Sequence, residues 1–267
     1  MKNLLISFLL FTHFLFSQNF KGFDNWYNWN NPKAPTPTVE WKFNRGMTIS
    51  DTGTTVIKSL VSQWKSIDLN YTLSQNTNTL RPIYDANIQG VLFDKIDDVL
   101  SLPAINCVSL NPDSGDFTFA GWLYFRNKNN QYIFGKVQNY DNQIMILTGG
   151  AGDLYLKLRD IPFSSIDNNI KINTSNIPTN EWFFFAFVVA RSDTFYGYIN
   201  GKNINATIAS GSWANIKALN LINDGDYMIG RVYLAGYFGE YISDFMYFDR
   251  ALSEIEIRRL YRKGRPK

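Results

Sequence analysis

From Val39 onward the sequence alternates short apolar segments with turns rich in asparagine, aspartate and glycine. The most apolar segments are residues 116–125 and 181–189, and similar segments recur at regular spacing as far as Phe248. Short strands repeated at this spacing favour an antiparallel sandwich or barrel over alternating strand–helix units. Aromatic residues form 16% of the chain, and their preference for pleated surfaces agrees with an all-β fold.

The segment 116–125 indicates how these strands are buried. Side chains alternate between the two faces of a strand, so one face carries Phe117, Phe119, Leu123 and Phe125 and the other carries Trp122 and Tyr124. Because both faces are apolar, we expect this strand to be covered on both sides.

Further strands are predicted along the body of the chain. They are residues 131–136, 143–148, 154–159, 195–199, 227–233 and 240–248. The pair Asn200-Gly201 predicts a type I′ hairpin turn. Residues 160–179 are polar and rich in asparagine, which predicts a long loop.

One short helix is predicted at the C-terminus, over residues 253–262. Ser253 and Glu256 have the spacing of a capping box, and Leu252 with Ile257 has the spacing of a hydrophobic staple. The basic tail, residues 263–267, complements the helix dipole. Binding of nucleic acid or acidic lipid is the alternative role for this basic end.

The first 17 residues have the pattern of a signal peptide. Lys2 precedes an apolar run from Leu4 to Phe16, and Ser17 is the small residue at the expected cleavage point. The run is shorter than the ~20 residues that span a membrane, and no second run of that length follows. We therefore expect a secreted or cell-surface protein, with an uncleaved anchor as the alternative.

Residues 18–38 are predicted to form an aromatic and proline-rich arm. Its aromatic residues are Phe23, Trp26, Tyr27 and Trp29, and Pro32, Pro35 and Pro37 follow them. Proline at this density favours extended backbone without sheet pairing. The aromatic side chains either fold back over the sandwich or bind a sugar or a partner protein.

The rarest residues exclude several classes of chemistry. His13 is the single histidine and lies in the leader, so the mature chain has no histidine for a catalytic triad or a histidine zinc site. Cys107 is the single cysteine, which excludes an internal disulfide, and its apolar neighbours predict a buried side chain. A formal net charge of +3 is too small to indicate a nucleic-acid partner.

The order of several segments resembles the laminin-G-like jelly rolls of the concanavalin A-like lectin/glucanase superfamily. The matching segments are residues 61–64, 81–82, 91–94, 97–100, 116–125, 181–188, 198–202, 239–244 and 247–253. The resemblance implies one antiparallel jelly-roll β-sandwich over residues 39–262. In that context Trp64, Trp122 and Trp182 are expected in the core rather than as sugar platforms.

Two acidic segments are candidates for metal binding. Tyr140-Asp141-Asn142 resembles the first half of the calcium site of pentraxins, which are distant relatives in this superfamily, and there Asp141 and Asn142 would supply oxygens. The second half of that pattern is replaced by Arg231-Val232-Tyr233-Leu234, so no cofactor is expected. Asp97-Asp98 is either a metal pair or a turn cap.

The sequence predicts a binding module rather than an enzyme. Glycosidases need two carboxylates beside the scissile bond, and the Glu-x-Asp-x-x-Glu strand of laminarinase-like enzymes is absent from the chain. We expect a glycan or polysaccharide as ligand. The alternative is a protein-binding adhesion or surface-assembly component that docks through its N-terminal arm.

Five residues are candidates for glycan contact, because aromatic faces stack on sugars while amides and carboxylates bind hydroxyls. They are Tyr140, Asp141, Asn142, Trp213 and Tyr233. Trp213 is flanked by small residues, which predicts a loop. Its indole either contacts ligand or plugs the sandwich edge.

Overall fold

The structure is a computed structural model that describes residues 34–43, 45, 47–50, 58–138, 142–160, 164–232 and 236–265. Thr36–Lys267 forms one compact unit. The predicted signal peptide and most of the predicted arm lie outside the described residues.

The described residues form twenty strands and two α-helices. The first ten strands are β1 (Val39–Lys42), β2 (Met47–Ser50), β3 (Lys58–Lys65), β4 (Thr72–Ser74), β5 (Ile83–Asp85), β6 (Gly90–Leu92), β7 (Leu100–Leu102), β8 (Phe117–Tyr124), β9 (Tyr132–Gln138) and β10 (Asn142–Thr148). The others are β11 (Leu154–Asp160), β12 (Ser164–Ile172), β13 (Trp182–Val189), β14 (Phe195–Ile199), β15 (Lys202–Asn203), β16 (Thr207–Ser210), β17 (Tyr227–Ile229), β18 (Arg231–Val232), β19 (Gly236–Tyr237) and β20 (Tyr241–Phe248). The helices are α1 (Trp213–Ala218) and α2 (Glu254–Lys263).

The strands form two antiparallel layers. The first layer has the order β1–β20–β8–β13–β14–β15, with β6 pairing the start of β20. The second layer has the order β16–β12–β11–β10–β9–β17–β7–β4–β3–β2. Strand β5 pairs with both β3 and β6 and so links the layers at one side. The predicted antiparallel jelly-roll sandwich is confirmed.

Aromatic side chains from both layers meet in the core. Phe119 and Phe245 belong to the first layer, whereas Phe134 and Tyr227 belong to the second. The ring centroid of Phe134 lies 5.2 Å from that of Phe119, 5.1 Å from that of Phe245 and 4.5 Å from that of Tyr227. This interdigitation explains the high aromatic content, because large rings fill the space between two facing sheets.

Helix α2 covers the outer face of the first layer. Ile257 and Leu260 are buried beneath it, and the Tyr261 ring stacks on Trp122 with centroids 5.7 Å apart. The prediction that residues 116–125 are covered on both sides is therefore confirmed.

The three expected core tryptophans differ in burial. Trp64 is fully buried, and Trp122 is buried beneath helix α2. Trp182 is only part-buried, because its ring lies on the outer face of the first layer beneath the guanidinium of Arg265. Its Nε1 donates a 3.1 Å hydrogen bond to the carbonyl of Ile88, so its role is packing at the sandwich surface.

The predicted capping box of helix α2 is confirmed. The Ser253 hydroxyl accepts a hydrogen bond from the Glu256 N–H, and the Glu256 carboxylate accepts one from the Ser253 N–H. Arg250 also donates to Glu256 at 2.7 Å, and this hydrogen bond holds the pKa of Glu256 at about 2.

Replacing Ser253 with alanine is expected to lower the free energy of unfolding by about 1 kcal/mol, because one helix N–H loses its acceptor. Urea denaturation measures the change, with Ser192→Ala, at an exposed turn position, as the control. Equal stability of the two variants would show that the cap does not stabilise the domain.

The prediction of a long loop over residues 160–179 is wrong, because β12 occupies Ser164–Ile172. Ile170 and Ile172 alternate inward onto the core, which is the burial pattern of a strand. Asn168 also points inward and is fully buried, and its Oδ1 accepts the N–H of Ser212. The strand was not predicted because the polar residue Asn168 occupies an inward-facing position, and its hydrogen-bond partner Ser212 lies far away in the sequence.

Two further predictions need correction. Residues 213–218 form helix α1 where a loop was predicted around Trp213. The strand predicted over 227–233 is interrupted at Gly230, whose φ of +93° starts a separate ribbon of β18 and β19. Neither helix in the described part of the chain is long and apolar enough to cross a membrane.

Candidate functional site

Trp213 is held at one edge of the sandwich by the start of helix α1. The Ser212 hydroxyl accepts a 3.1 Å hydrogen bond from the Asn215 N–H and so caps this helix. The indole is part-buried and packs on Phe195, with centroids 5.5 Å apart. The Trp213 side chain therefore packs against the edge of the sandwich, and part of its ring remains exposed to solvent.

Arg191 fixes the other end of helix α1 to the sandwich. Its guanidinium is buried and donates hydrogen bonds of 2.7–3.1 Å to five backbone carbonyls. These carbonyls belong to Asp113, Gly115, Ile216, Lys217 and Leu219. Burial lowers the pKa of Arg191, but the neighbouring carboxylates of Asp116 and Asp113 oppose that shift. One side chain thus positions the segment that carries Trp213.

Asn142 belongs to a hydrogen-bonded cluster beside the following loop. Its Nδ2 donates to the carbonyl of Ile222 at 3.2 Å, and its own carbonyl accepts from Asn223 Nδ2 at 2.7 Å. The fully buried Lys136 Nζ donates to the carbonyls of Asn223 and Gly225. Burial lowers the pKa of Lys136. The sequence analysis did not identify Lys136 as a notable residue, although a lysine within an otherwise apolar strand could have indicated a buried charge.

The structure does not bring Asn142 and Trp213 into contact. Strands β11 and β12 lie between β10, which begins at Asn142, and β16, which leads into Trp213. Three strand spacings correspond to about 14 Å. A ligand that touches both residues must therefore be an extended chain of several sugar units.

The other three candidate residues lie outside the described residues. In the sequence, Tyr140 and Asp141 directly precede Asn142, and Tyr233 falls between β18 and β19. The ribbon of those two strands lies against β9, where Val232 contacts the backbone side of Gly135. Arg231, where the sequence departs from the pentraxin-like pattern, has its guanidinium 5.1 Å from the centre of the Tyr237 ring.

The Asp97-Asp98 pair lies in a tight turn that also contains Asp94. Asp94 Oδ1 accepts N–H bonds from Ile96 at 2.8 Å and Asp97 at 3.2 Å, and Asp98 Oδ2 accepts the Asp94 N–H at 2.9 Å. Burial, followed by the charge of Asp94, raises the pKa of Asp98 to about 7. The backbone bonds are those of a turn cap, and the three carboxylates also lie within 4.8 Å of one another, as in a cation site.

Two of the few glutamates have structural partners. Glu240 accepts hydrogen bonds from the Arg126 N–H and Nε at 3.0 Å and from the Asn127 N–H at 2.8 Å. Glu256 caps helix α2. Both carboxylates therefore hold the fold together.

A comparison of the sequence with known protein families agrees with the sandwich fold. Residues 94–258 match a laminin-G family described as the concanavalin A-like lectin/glucanases superfamily. The chain belongs to this superfamily. The matched segment contains helix α1, Arg191 with its five carbonyl partners, and the loops beside Asn142. No protein with a curated description matches the sequence.

Several solved structures share the superfamily fold. The receptor binding domain of the botulinum neurotoxin C/D mosaic serotype has a TM-score of 0.56 and 13% identity, over 85% of this chain and 51% of that one. The binding domain of botulinum neurotoxin serotype G has a TM-score of 0.54 and 16% identity, over 85% and 51%.

A Trypanosoma rangeli sialidase has a TM-score of 0.54 and 13% identity, over 85% of this chain and 33% of that one. The chain thus spans about half the length of the neurotoxin domains and a third of the sialidase. At these identities the likeness shows the fold alone.

Proposed function

We propose that this protein is an exported, non-catalytic module that recognises a glycan at the sandwich edge carrying Trp213. The part-exposed indole, held by the Ser212 cap and by Arg191, is the observation that carries the proposal. A ring fixed in this way stacks on a sugar without losing much conformational freedom. Asn142, separated from Trp213 by two intervening strands, would contact the same glycan together with Tyr140 and Asp141. Tyr233 remains a further candidate.

The superfamily and its structural neighbours support a binding role. The neurotoxin domains are named as binding domains, and one of them as a receptor binding domain. The roles of Glu240 and Glu256 in the fold favour binding over hydrolysis, because they leave fewer carboxylates for catalysis. We expect the glycan to bind without a metal ion, because the pentraxin-like calcium pattern is incomplete at Arg231.

Replacing Trp213 or Tyr140 with alanine is expected to weaken binding roughly five- to thirty-fold, because one stacked ring contributes about 1–2 kcal/mol. A glycan array selects the ligand, and calorimetric titration measures each affinity. Trp182→Ala, which removes another part-buried tryptophan from the outer face of the first layer, is the matched control and should bind like the wild type.

Two further results are expected, and two others would contradict the proposal. A chelator should leave the affinity unchanged, and the selected glycan should release no reducing sugar. If both variants bind like the wild type, the sandwich edge is not the site. If no glycan binds, protein docking through the arm becomes the better proposal, and a pull-down with and without residues 19–38 tests it.

A further inference from the structure

The outer face of β10, β11 and β12 carries a regular set of polar and charged side chains. On these strands the inward residues include Ile144, Ile146, Leu156, Leu158 and Ile170, all buried in the core. Because side chains alternate, the intervening residues point outward. They are Gln143, Met145, Leu147, Tyr155, Lys157, Arg159, Asp167, Asn169 and Lys171.

The strand register arranges this outer face in rows across the sheet. Leu147 pairs with Tyr155, which pairs with Lys171. In the next row Met145 pairs with Lys157, which pairs with Asn169. Lys157 and Lys171 are therefore diagonal neighbours on adjacent strands, about 7–8 Å apart at the backbone and within reach of one bound group.

Among the residues that the structure describes, positive charge exceeds negative charge on this face. Asp167 is shared by two cations, with Lys157 Nζ at 2.7 Å from Oδ2 and Arg159 Nε at 2.8 Å from Oδ1. The carboxylate of Asp167 carries one negative charge, and Lys157 and Arg159 carry two positive charges. These three side chains together therefore have a net positive charge, and they lie beside Asn169.

The second carboxylate near this face is also shared. Asp153 lies 3.5 Å from Lys171 Nζ, but it also accepts the Thr174 N–H at 2.7 Å and faces the Tyr155 hydroxyl at 3.4 Å. Its charge is therefore divided between the lysine and these neutral donors. Counting Asp153 with Asp167, two carboxylates in the described part of the chain face the three cations Lys157, Arg159 and Lys171.

The charged side chains lie partly open to solvent. The side-chain exposures are 21% for Lys157, 23% for Arg159 and 26% for Lys171. Long stems of this kind cover the sheet and keep their charged ends near water. The Tyr155 ring is positioned against Gly149, where a Cβ atom would lie 3.0 Å from the ring.

One side of this face is closed by the ribbon of β18 and β19. Val232 is buried and packs with Val137 and Met145, and a Cβ atom on Gly135 would lie 3.0 Å from it. The ribbon thus covers β9, while the basic side chains on β11 and β12 keep 21–26% of their surface exposed among the described residues.

We infer that the outer face of β11 and β12 binds a polysaccharide that carries carboxylate or sulfate groups, with Lys157 and Lys171 as the principal contacts. This inference rests on the proposed glycan-binding function and adds the chemical class of the ligand. An acidic group placed between the two lysines faces three cations and two carboxylates among the described residues, whereas a neutral sugar gains no contact with this excess positive charge. The Tyr155 ring lies beside Lys171 and supplies a face for stacking of an adjacent sugar.

The inference is tested with three polymers that share one backbone, namely dextran sulfate, carboxymethyl dextran and neutral dextran. The wild type should bind at least one acidic polymer and should bind it more tightly than dextran. The double variant Lys157→Gln/Lys171→Gln should bind that polymer about tenfold more weakly. Asp167→Asn removes the opposing carboxylate without changing the side-chain shape, and it should tighten binding.

A double variant of equal charge separates a local site from attraction to net charge. Lys202→Gln/Lys263→Gln changes two exposed lysines on β15 and helix α2, and it should bind within about twofold of the wild type. Equal losses in both double variants would overturn the inference. So would a wild type that prefers a neutral glycan from the array, a result that leaves the proposed glycan-binding function intact. Absence of any glycan binding would instead remove the proposed function itself.

Discussion

Replacing Arg191 with methionine is expected to lower the free energy of unfolding by about 3–5 kcal/mol. Methionine preserves the apolar stem but removes every donor to the five carbonyls that the guanidinium holds. Several of those carbonyls are buried with the guanidinium, so water cannot fully replace the lost hydrogen bonds. Urea denaturation measures the loss of stability.

The Arg191 variant also tests whether helix α1 depends on this side chain. Arg258→Met, at a position whose side chain is 54% exposed, is the matched control and should change stability by less than about 0.5 kcal/mol. The fluorescence of Trp213 should change in the Arg191 variant, because the segment that carries it loses its support. A variant as stable as the control would show that the cluster does not anchor the edge.

Replacing Asp244 with asparagine is expected to make the stability of the protein less sensitive to pH. Asp244 is 3% exposed, and burial raises the pKa of its carboxyl to about 8, although the Phe43 N–H donates to it at 3.0 Å. Among the nearby charges, Glu40 raises this pKa further, whereas Lys42 and Lys263 lower it. The unfolded chain has the ordinary value of 3.8.

The sign of the effect follows from proton binding. Between the unfolded and folded pKa values the folded state holds a proton that the unfolded state has lost, so stability falls as the pH rises through this window. The stability of Asp244→Asn relative to the wild type should therefore increase by on the order of 4 kcal/mol from about pH 4 to about pH 9. Asp98 also has a raised pKa, but it titrates in both proteins. Its contribution to the pH dependence of stability therefore cancels in the comparison. Parallel stability curves for the two proteins would contradict the prediction.

Local sequence patterns were sufficient to predict the main strands and the C-terminal helix. The alternation in residues 116–125 predicted that Phe119 and Trp122 lie on opposite covered faces, and the structure has Phe119 in the core and Trp122 beneath helix α2. Asn200 and Gly201 have φ values of +51° and +74°, which are those of the predicted type I′ turn. Each of these features depends on neighbouring residues and is therefore readable from a short stretch of sequence.

Elements that depend on distant partners were not predictable in this way. Strand β12 has the buried Asn168 in its inward row, and the polar partner Ser212 is 44 residues away. Helix α1 has only six residues, and Arg191 holds its C-terminal end from the turn that follows β13. Isolated helices of this length are unstable in water, so the sequence of α1 alone does not specify it.

The same distinction applies to the candidate site. Residue types suggested Asn142 and Trp213 as ligand contacts, but their separation by two strands depends on the order of strands in the second layer. The pairing of Lys157 with Asn169 depends on the register of β12, a strand that was predicted as loop. The basic outer face was therefore invisible until the sheet was assembled.

The central claim, that this sandwich binds a glycan and that an acidic one lies across β11 and β12, is tested most directly by mapping backbone amide shifts. Isotope-labelled protein is titrated with a short oligosaccharide of whichever acidic dextran, sulfated or carboxymethylated, binds more tightly, and is followed by nuclear magnetic resonance. The account predicts the largest shifts at Lys157, Asn169 and Lys171, with small shifts in helix α2. Shifts that cluster at helix α2, or no shifts at saturating oligosaccharide, would contradict it.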